Sequence, residues 1–66
     1  MTIAVDVYRF GDVQTTRFGD NLKAARKFAE REFDSPGVYK VKVWDLSKRG
    51  RQPNLVGADN LIFELV

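Results

Sequence analysis

The chain has 66 residues, of which 44% are hydrophobic and 30% charged, with 11 Lys+Arg against 9 Asp+Glu for a net charge of +2. There is no cysteine and no histidine, which excludes disulfide cross-links, thiolate zinc sites and any nucleophile paired with histidine. The composition is that of one small globular domain, residues 1–66, and the charge is far below that of a purely electrostatic DNA binder.

Residues 3–10 alternate and are rich in β formers, and a second such run covers 13–18. The Gly11-Asp12 pair between them reads as a two-residue hairpin loop, with Gly11 supplying the positive φ of a primed turn. That loop sets a register in which Phe10 faces Val13, Tyr8 faces Thr15 and Asp6 faces Arg17. Val7 then faces Thr16 and Val5 faces Phe18. The second set, with Ile3, is the natural core face. Asp6–Arg17 is a cross-strand pair of opposite charge.

A helix follows, from Asn21 to about Phe33, with Asp20 as N-cap and Asn21 as the alternative. Leu22, Ala25, Ala29 and Phe33 form one apolar stripe, with Phe28 at its edge. Lys23, Lys27 and Arg31 lie on the opposite face, where plain solvation accounts for them. Ser35-Pro36-Gly37 ends the helix and turns the chain.

The third strand is 38–45, with Tyr39, Val41 and Val43 on one face and Lys40, Lys42 and Trp44 on the other. The last is 61–66, with Leu61, Phe63 and Leu65 inward and Ile62, Glu64 and Val66 outward. Fifteen unstructured residues at 46–60 would be long for so small a domain. The reading there is a hairpin tip at 47–52, a short return strand at 52–56 kept to an edge or bulge by Pro53, and a turn at 57–60.

The expected fold is α+β: β-β-α-β-β, an antiparallel sheet in the order 2-1-3-4 with one helix on one face. Arg9 lies on the core face beside the hairpin turn, above which the helix should end, so this order pairs Arg9 with Glu32. One helix covers one face only. The other face would expose Tyr8, Phe10, Val13, Lys40, Lys42, Trp44, Ile62 and Val66, a large apolar patch for a monomer.

Positive charge is concentrated locally. Residues 35–51 sum to +4 through Lys40, Lys42, Lys48, Arg49 and Arg51 against Asp45. Cations interleaved with Tyr39 and Trp44 suit an acidic protein surface or single-stranded nucleic acid. Coverage of the face by the 46–60 segment, or dimerisation through it, would instead leave no docking role. Acids and bases are limited to Asp, Glu, Lys and Tyr without a telling spacing, and no phosphate-cradling loop or metal-ligand cluster stands out. The expectation is a non-enzymatic protein with no cofactor, no metal and no catalytic residue.

The run Asp20-Asn21-Leu22-Lys23-Ala24-Ala25, with Phe28, Ala29 and Phe33, then Ser35-Pro36-Gly37-Val38-Tyr39-Lys40-Val41-Lys42-Val43, resembles the helix-turn-strand of several small phage-encoded proteins. These include a small inhibitor of bacterial RNA polymerase and some anti-CRISPR proteins. The resemblance covers about residues 3–45, although this helix is basic where acidic helices are common in that group. It implies a compact inhibitor that occupies a surface of a host protein or nucleoprotein machine.

The expected docking residues are Tyr8, Phe10 and Trp44 as anchors, with Lys40, Lys42, Lys48, Arg49 and Arg51 steering. The alternatives are a single-stranded nucleic-acid binder using the same face and a homodimeric structural protein. The N-terminal residues carry no signal-peptide pattern and no apolar run spans a membrane. With the missing cysteines, this gives a cytoplasmic expectation.

Overall fold

A computed structural model describes residues 2–47 and 60–66. Four strands, β1 (Ile3–Arg9), β2 (Asp12–Gly19), β3 (Val38–Asp45) and β4 (Leu61–Leu65), form one antiparallel sheet in the order β2-β1-β3-β4. The helix α1 (Leu22–Phe33) packs on one face. The fold is the α+β arrangement the pattern predicts. The expected hairpin tip at 47–52, return strand at 52–56 and turn at 57–60 lie outside the described residues but for Ser47 and Asn60 at their ends, as do Lys48, Arg49 and Arg51.

The core is the alternating face of the two central strands. Ile3, Val5 and Val7 of β1 and Val41 and Val43 of β3 are fully buried with Ala25 and Ala29 of α1. The two alanines let the helix backbone lie close to the branched side chains, where β-branched residues stack well on a pleated surface. Phe18, Leu22, Phe28, Phe33, Val38, Phe63 and Leu65 close the periphery.

The N-cap is Asn21, whose side chain accepts from the Ala24 N–H at 3.0 Å. Asp20 stands one residue outside the helix. After Asp34 the chain turns through Gly37, at φ +88°.

Arg9 and Glu32 meet at 3.4 Å, as the strand order requires. Arg9 also donates to the Gln14 side chain at 3.2 Å. Both members are partly solvated, so the pair contributes at most about 1 kcal/mol; its value is as a marker of where the helix ends.

The hairpin register differs from expectation by two residues. The loop is Phe10-Gly11, and Arg9 faces Asp12, Tyr8 faces Val13, Asp6 faces Thr15 and Ala4 faces Arg17. Gly11 carries the positive φ, +78°, at the second loop position, while Phe10 keeps a negative one. That is the sign pattern of a type II turn, which needs glycine only at its second central position. A shift of two preserves the faces but removes the expected Asp6–Arg17 pair.

Three bulges account for the other departures from alternation. In β2, Phe18 is the extra residue between Arg17 and Gly19, and it stays on the helix side against Phe28, ring centroids 5.1 Å apart. In β3, Tyr39 is the extra residue between Val38 and Lys40. Val38 takes the core-side position, and Tyr39 leaves the core face for the opposite one. In β4, Ile62 is the extra residue between Leu61 and Phe63. Ile62 packs against the core and Leu61 pairs with Trp44, reversing the expected roles of both. A bulge re-aims the side chains beside it because two residues oppose one.

Asp45 closes the sheet end. Its carboxylate accepts from the Ser47 hydroxyl at 2.6 Å, the Ser47 N–H at 3.0 Å and the Thr2 N–H at 3.3 Å. The Asn60 side chain donates to the Asp45 carbonyl at 3.1 Å, tying the start of β4 to the end of β3. The Ser47 hydroxyl bond is the largest cause that holds the Asp45 carboxyl below its ordinary value of 3.8, with the backbone donors adding to it against the opposing effect of burial. A depressed folded-state value means the unfolded chain binds more protons in the pH range between the folded and unfolded values. The contribution of Asp45 is therefore complete above the unfolded value and lost as pH falls through the folded one. Acid titration of stability should show this slope below about pH 4, and Asp45→Asn should flatten it; an unchanged slope would place the acid sensitivity elsewhere.

Candidate docking face

The face away from the helix is built by the second set of alternating positions: Ala4, Asp6 and Tyr8 of β1, Val13, Thr15 and Arg17 of β2, Lys40, Lys42 and Trp44 of β3, and Leu61 and Glu64 of β4. It divides into two regions with different chemistry.

One region is locked. Trp44 is only 8% exposed, which corrects its expected role as an exposed anchor. Its indole N–H donates to Asp6 Oδ2 at 2.9 Å, and the Thr15 hydroxyl donates to Asp6 Oδ1 at 2.6 Å. Asp6 thus takes two neutral donors, one from each neighbouring strand. The Lys42 ammonium lies 5.4 Å from the indole ring centroid, a cation–π distance. Ala4, Asp6, Tyr8, Thr15, Lys42, Trp44 and Leu46 surround an open hollow of about 430 Å³.

Asp6→Ala would strand a buried indole N–H. An unsatisfied donor of this kind costs about 1–3 kcal/mol. The expected result is a drop of that size in unfolding free energy, read from denaturant melts followed by tryptophan fluorescence, with most of it restored in Asp6→Asn. A drop below about 0.5 kcal/mol, within the ordinary range for surface substitutions, would mean that the bond holds nothing.

The other region is open. Phe10, 88% exposed at the hairpin tip, packs its ring 5.2 Å from that of Tyr39, which is 44% exposed. Tyr8 lies next, 6.2 Å from Tyr39. These are contact distances for tilted aromatic pairs, so three rings form a continuous cluster from the tip toward the sheet centre. The Lys40 and Lys42 ammonium groups sit 5.0 and 5.8 Å from the Tyr8 ring. Burial first, then the negative charge of Asp6, followed by Tyr39 and Glu64, pushes the Tyr8 phenol above its ordinary 10.0. It is a neutral hydroxyl at physiological pH, able to donate.

Lys42 stands between Asp6 on β1 and Glu64 on β4 in the register, yet among the described residues neither Lys42 nor Lys40 makes an ion pair. Their contacts among the described residues are the cation–π ones with Tyr8 and Trp44. Val13 at the tip is half exposed, whereas Val66, also exposed, lies at the chain end beyond β4.

Of the expected docking residues, the structure brings together Tyr8, Phe10, Lys40 and Lys42, sets Trp44 into the sheet, and adds Tyr39. Alternation alone assigns Tyr39 to the core, and nothing in the local sequence marks the bulge that turns it. Among the described residues no three acidic side chains converge as metal ligands would, and no helix is long and apolar enough to cross a membrane. Comparison with known proteins finds no match: no family model, no curated protein and no solved structure is significantly similar to this chain.

Proposed function

We propose that this chain is a small non-catalytic docking protein that inhibits a macromolecular machine by occupying an acidic, partly apolar protein surface. The observation that carries the reading is the exposed Phe10–Tyr39–Tyr8 cluster flanked by Lys40 and Lys42. Aromatic anchors at the centre of a patch with cations around them fit a protein interface, where the rings supply affinity and the charges supply orientation and encounter rate. Occlusion of a host machine in the cytoplasm is the action that the resemblance to small phage-encoded inhibitors implies.

Single-stranded nucleic acid fits this surface less well. Stacking needs uncovered ring faces, and here Tyr8 has two ammonium groups near its ring and Trp44 is packed beneath Lys42, which leaves Phe10 and Tyr39, already in contact with each other, as the exposed rings. Two experiments test the choice together. In a titration with a random single-stranded oligonucleotide at low salt, no binding is expected; affinity falling steeply with salt would transfer the face to nucleic acid. In capture from bacterial lysate, one protein recovered by wild type and lost with Phe10→Ser/Tyr39→Ser is expected. Equal recovery by both would overturn the assignment.

A further inference from the structure

A second feature of the described residues is a strand edge, whose backbone groups the open sheet face does not use. Among the described residues β2 is an edge strand, exposed along its length except at Phe18. The helix lies over β1 and β3 and barely reaches β2, so neither Gln14 nor Thr16 is covered on the helix side. The residues flanking a two-residue hairpin loop exchange backbone bonds, and bonded pairs alternate with non-bonded ones. Arg9–Asp12, Val7–Gln14 and Val5–Thr16 are then the bonded pairs. Val13, Thr15 and Arg17 turn their N–H and C=O groups outward, where no described strand meets them. Edges are commonly protected by lysine, proline, bulges or short length; this one is eight residues long with no lysine or proline, and its bulge is confined to the Phe18 end.

Beside this edge, on the helix side, is a hollow of about 450 Å³ lined by Phe18, Ala24, Lys27, Phe28 and Arg31. The Phe18–Phe28 pair makes its apolar part. Lys27 and Arg31 stand one helical turn apart, and among the described residues neither side chain makes an ion pair.

We propose that β2 is a β-addition site for an extended segment of a partner protein, one carrying an apolar residue with acidic residues two positions to either side. Side chains two apart on a strand point the same way, about 6–7 Å from one another. In this pattern the apolar side chain enters the hollow over Phe18 and Phe28, and the flanking carboxylates meet Lys27 and Arg31. Main-chain bonds to the edge supply affinity and the alternate side chains supply selectivity, as in other strand-addition complexes. A second copy of the chain does not meet the requirement: its β2 would offer Gln14 and Thr16 on that side, and its one acidic residue is Asp12. The inference is independent of the open sheet face.

The test is a titration of the isotopically labelled chain with the capped peptide Thr-Glu-Val-Leu-Val-Glu-Thr, followed by backbone amide NMR. Saturable shifts are expected at Val13, Thr15 and Arg17 and along Lys27–Arg31. Binding should weaken by about tenfold or more, the equivalent of 1.4 kcal/mol, both for a peptide with lysine in place of glutamate and for Lys27→Glu/Arg31→Glu. Phe10→Ser should bind the original peptide unchanged. No shifts at β2 at millimolar peptide, or equal binding of acidic and basic peptides, would overturn the proposal. So would β2 shifts that follow protein concentration without peptide, which would make a second copy the occupant.

Discussion

Ile3→Ala is expected to leave a large fraction of the chain unfolded at 25 °C. Ile3 is fully buried, pairs with Asp45 on β3 and Gly19 on β2, and belongs to the cluster that joins the sheet to α1. Truncating a buried isoleucine costs about 2–5 kcal/mol, the transfer of the lost methyl groups plus the cavity left behind. A chain of this length buries only about 60% of its unfolded surface, and a single core in this size range supplies about 3–5 kcal/mol in all. Loss and margin are therefore equal in size. Far-ultraviolet circular dichroism through a thermal melt should show either no folded baseline or a midpoint displaced far below that of wild type. A shift of only a few degrees would mean that the core holds more stability than its buried residues account for. Ile3→Val, which removes a single methyl group at about 0.5–1.5 kcal/mol, should remain folded and calibrate the comparison.

The second large effect is on binding. Phe10→Ser/Tyr39→Ser should leave the chain folded, at a cost of about 1–2 kcal/mol for the two ring contacts of Tyr39. Phe10 is almost fully exposed and its φ is negative, so serine fits its turn position. Partner affinity should nevertheless fall by about 30-fold or more, since truncating an aromatic anchor at an interface centre costs about 2 kcal/mol or more. Lys40→Glu/Lys42→Glu should act differently, chiefly by slowing association and reversing its salt dependence. Retained affinity in the aromatic variant, with the fold intact, would separate the exposed cluster from function altogether.

The strand order and the helix position were readable because they rest on patterns that single residues cannot disturb. Alternation placed Ile3, Val5, Val7, Val41 and Val43 on one face, and the helical stripe placed Ala25 and Ala29 against them. The Arg9–Glu32 contact follows from the strand order and helix direction together. What alternation cannot encode is a bulge. Phe18, Tyr39 and Ile62 are each one residue too many for a strict pairing, and each bulge resets the faces around it. Tyr39 and Ile62 consequently exchange the sides expected of them. The hairpin slipped by two residues because Gly11 satisfies either loop placement, and a two-residue slip leaves every side chain on its own face.

Trp44 departs from expectation for another reason. It lies on the open face, as alternation predicts, but a residue's face does not determine its exposure. An indole brings an N–H that seeks an acceptor, and Asp6 on the adjacent strand supplies one. Charge matching pointed Asp6 toward Arg17, whereas the actual register gave it Thr15 and Trp44 as donors. The consequence for the site is a shift in its centre. The exposed aromatic surface lies not at the locked middle of the sheet but toward the hairpin tip, where Phe10, Tyr39 and Tyr8 meet beside Lys40 and Lys42.

The docking account is tested most directly by photo-crosslinking from that tip. The photoreactive residue p-benzoylphenylalanine placed at Phe10, and separately at Glu30 as an exposed control on the helix that covers the other face, would be irradiated in bacterial lysate. The account predicts one protein adduct from position 10, absent from position 30 and lost when Lys40→Glu/Lys42→Glu is added. The same adducts from both positions, or crosslinks from position 10 to nucleic acid alone, would contradict it.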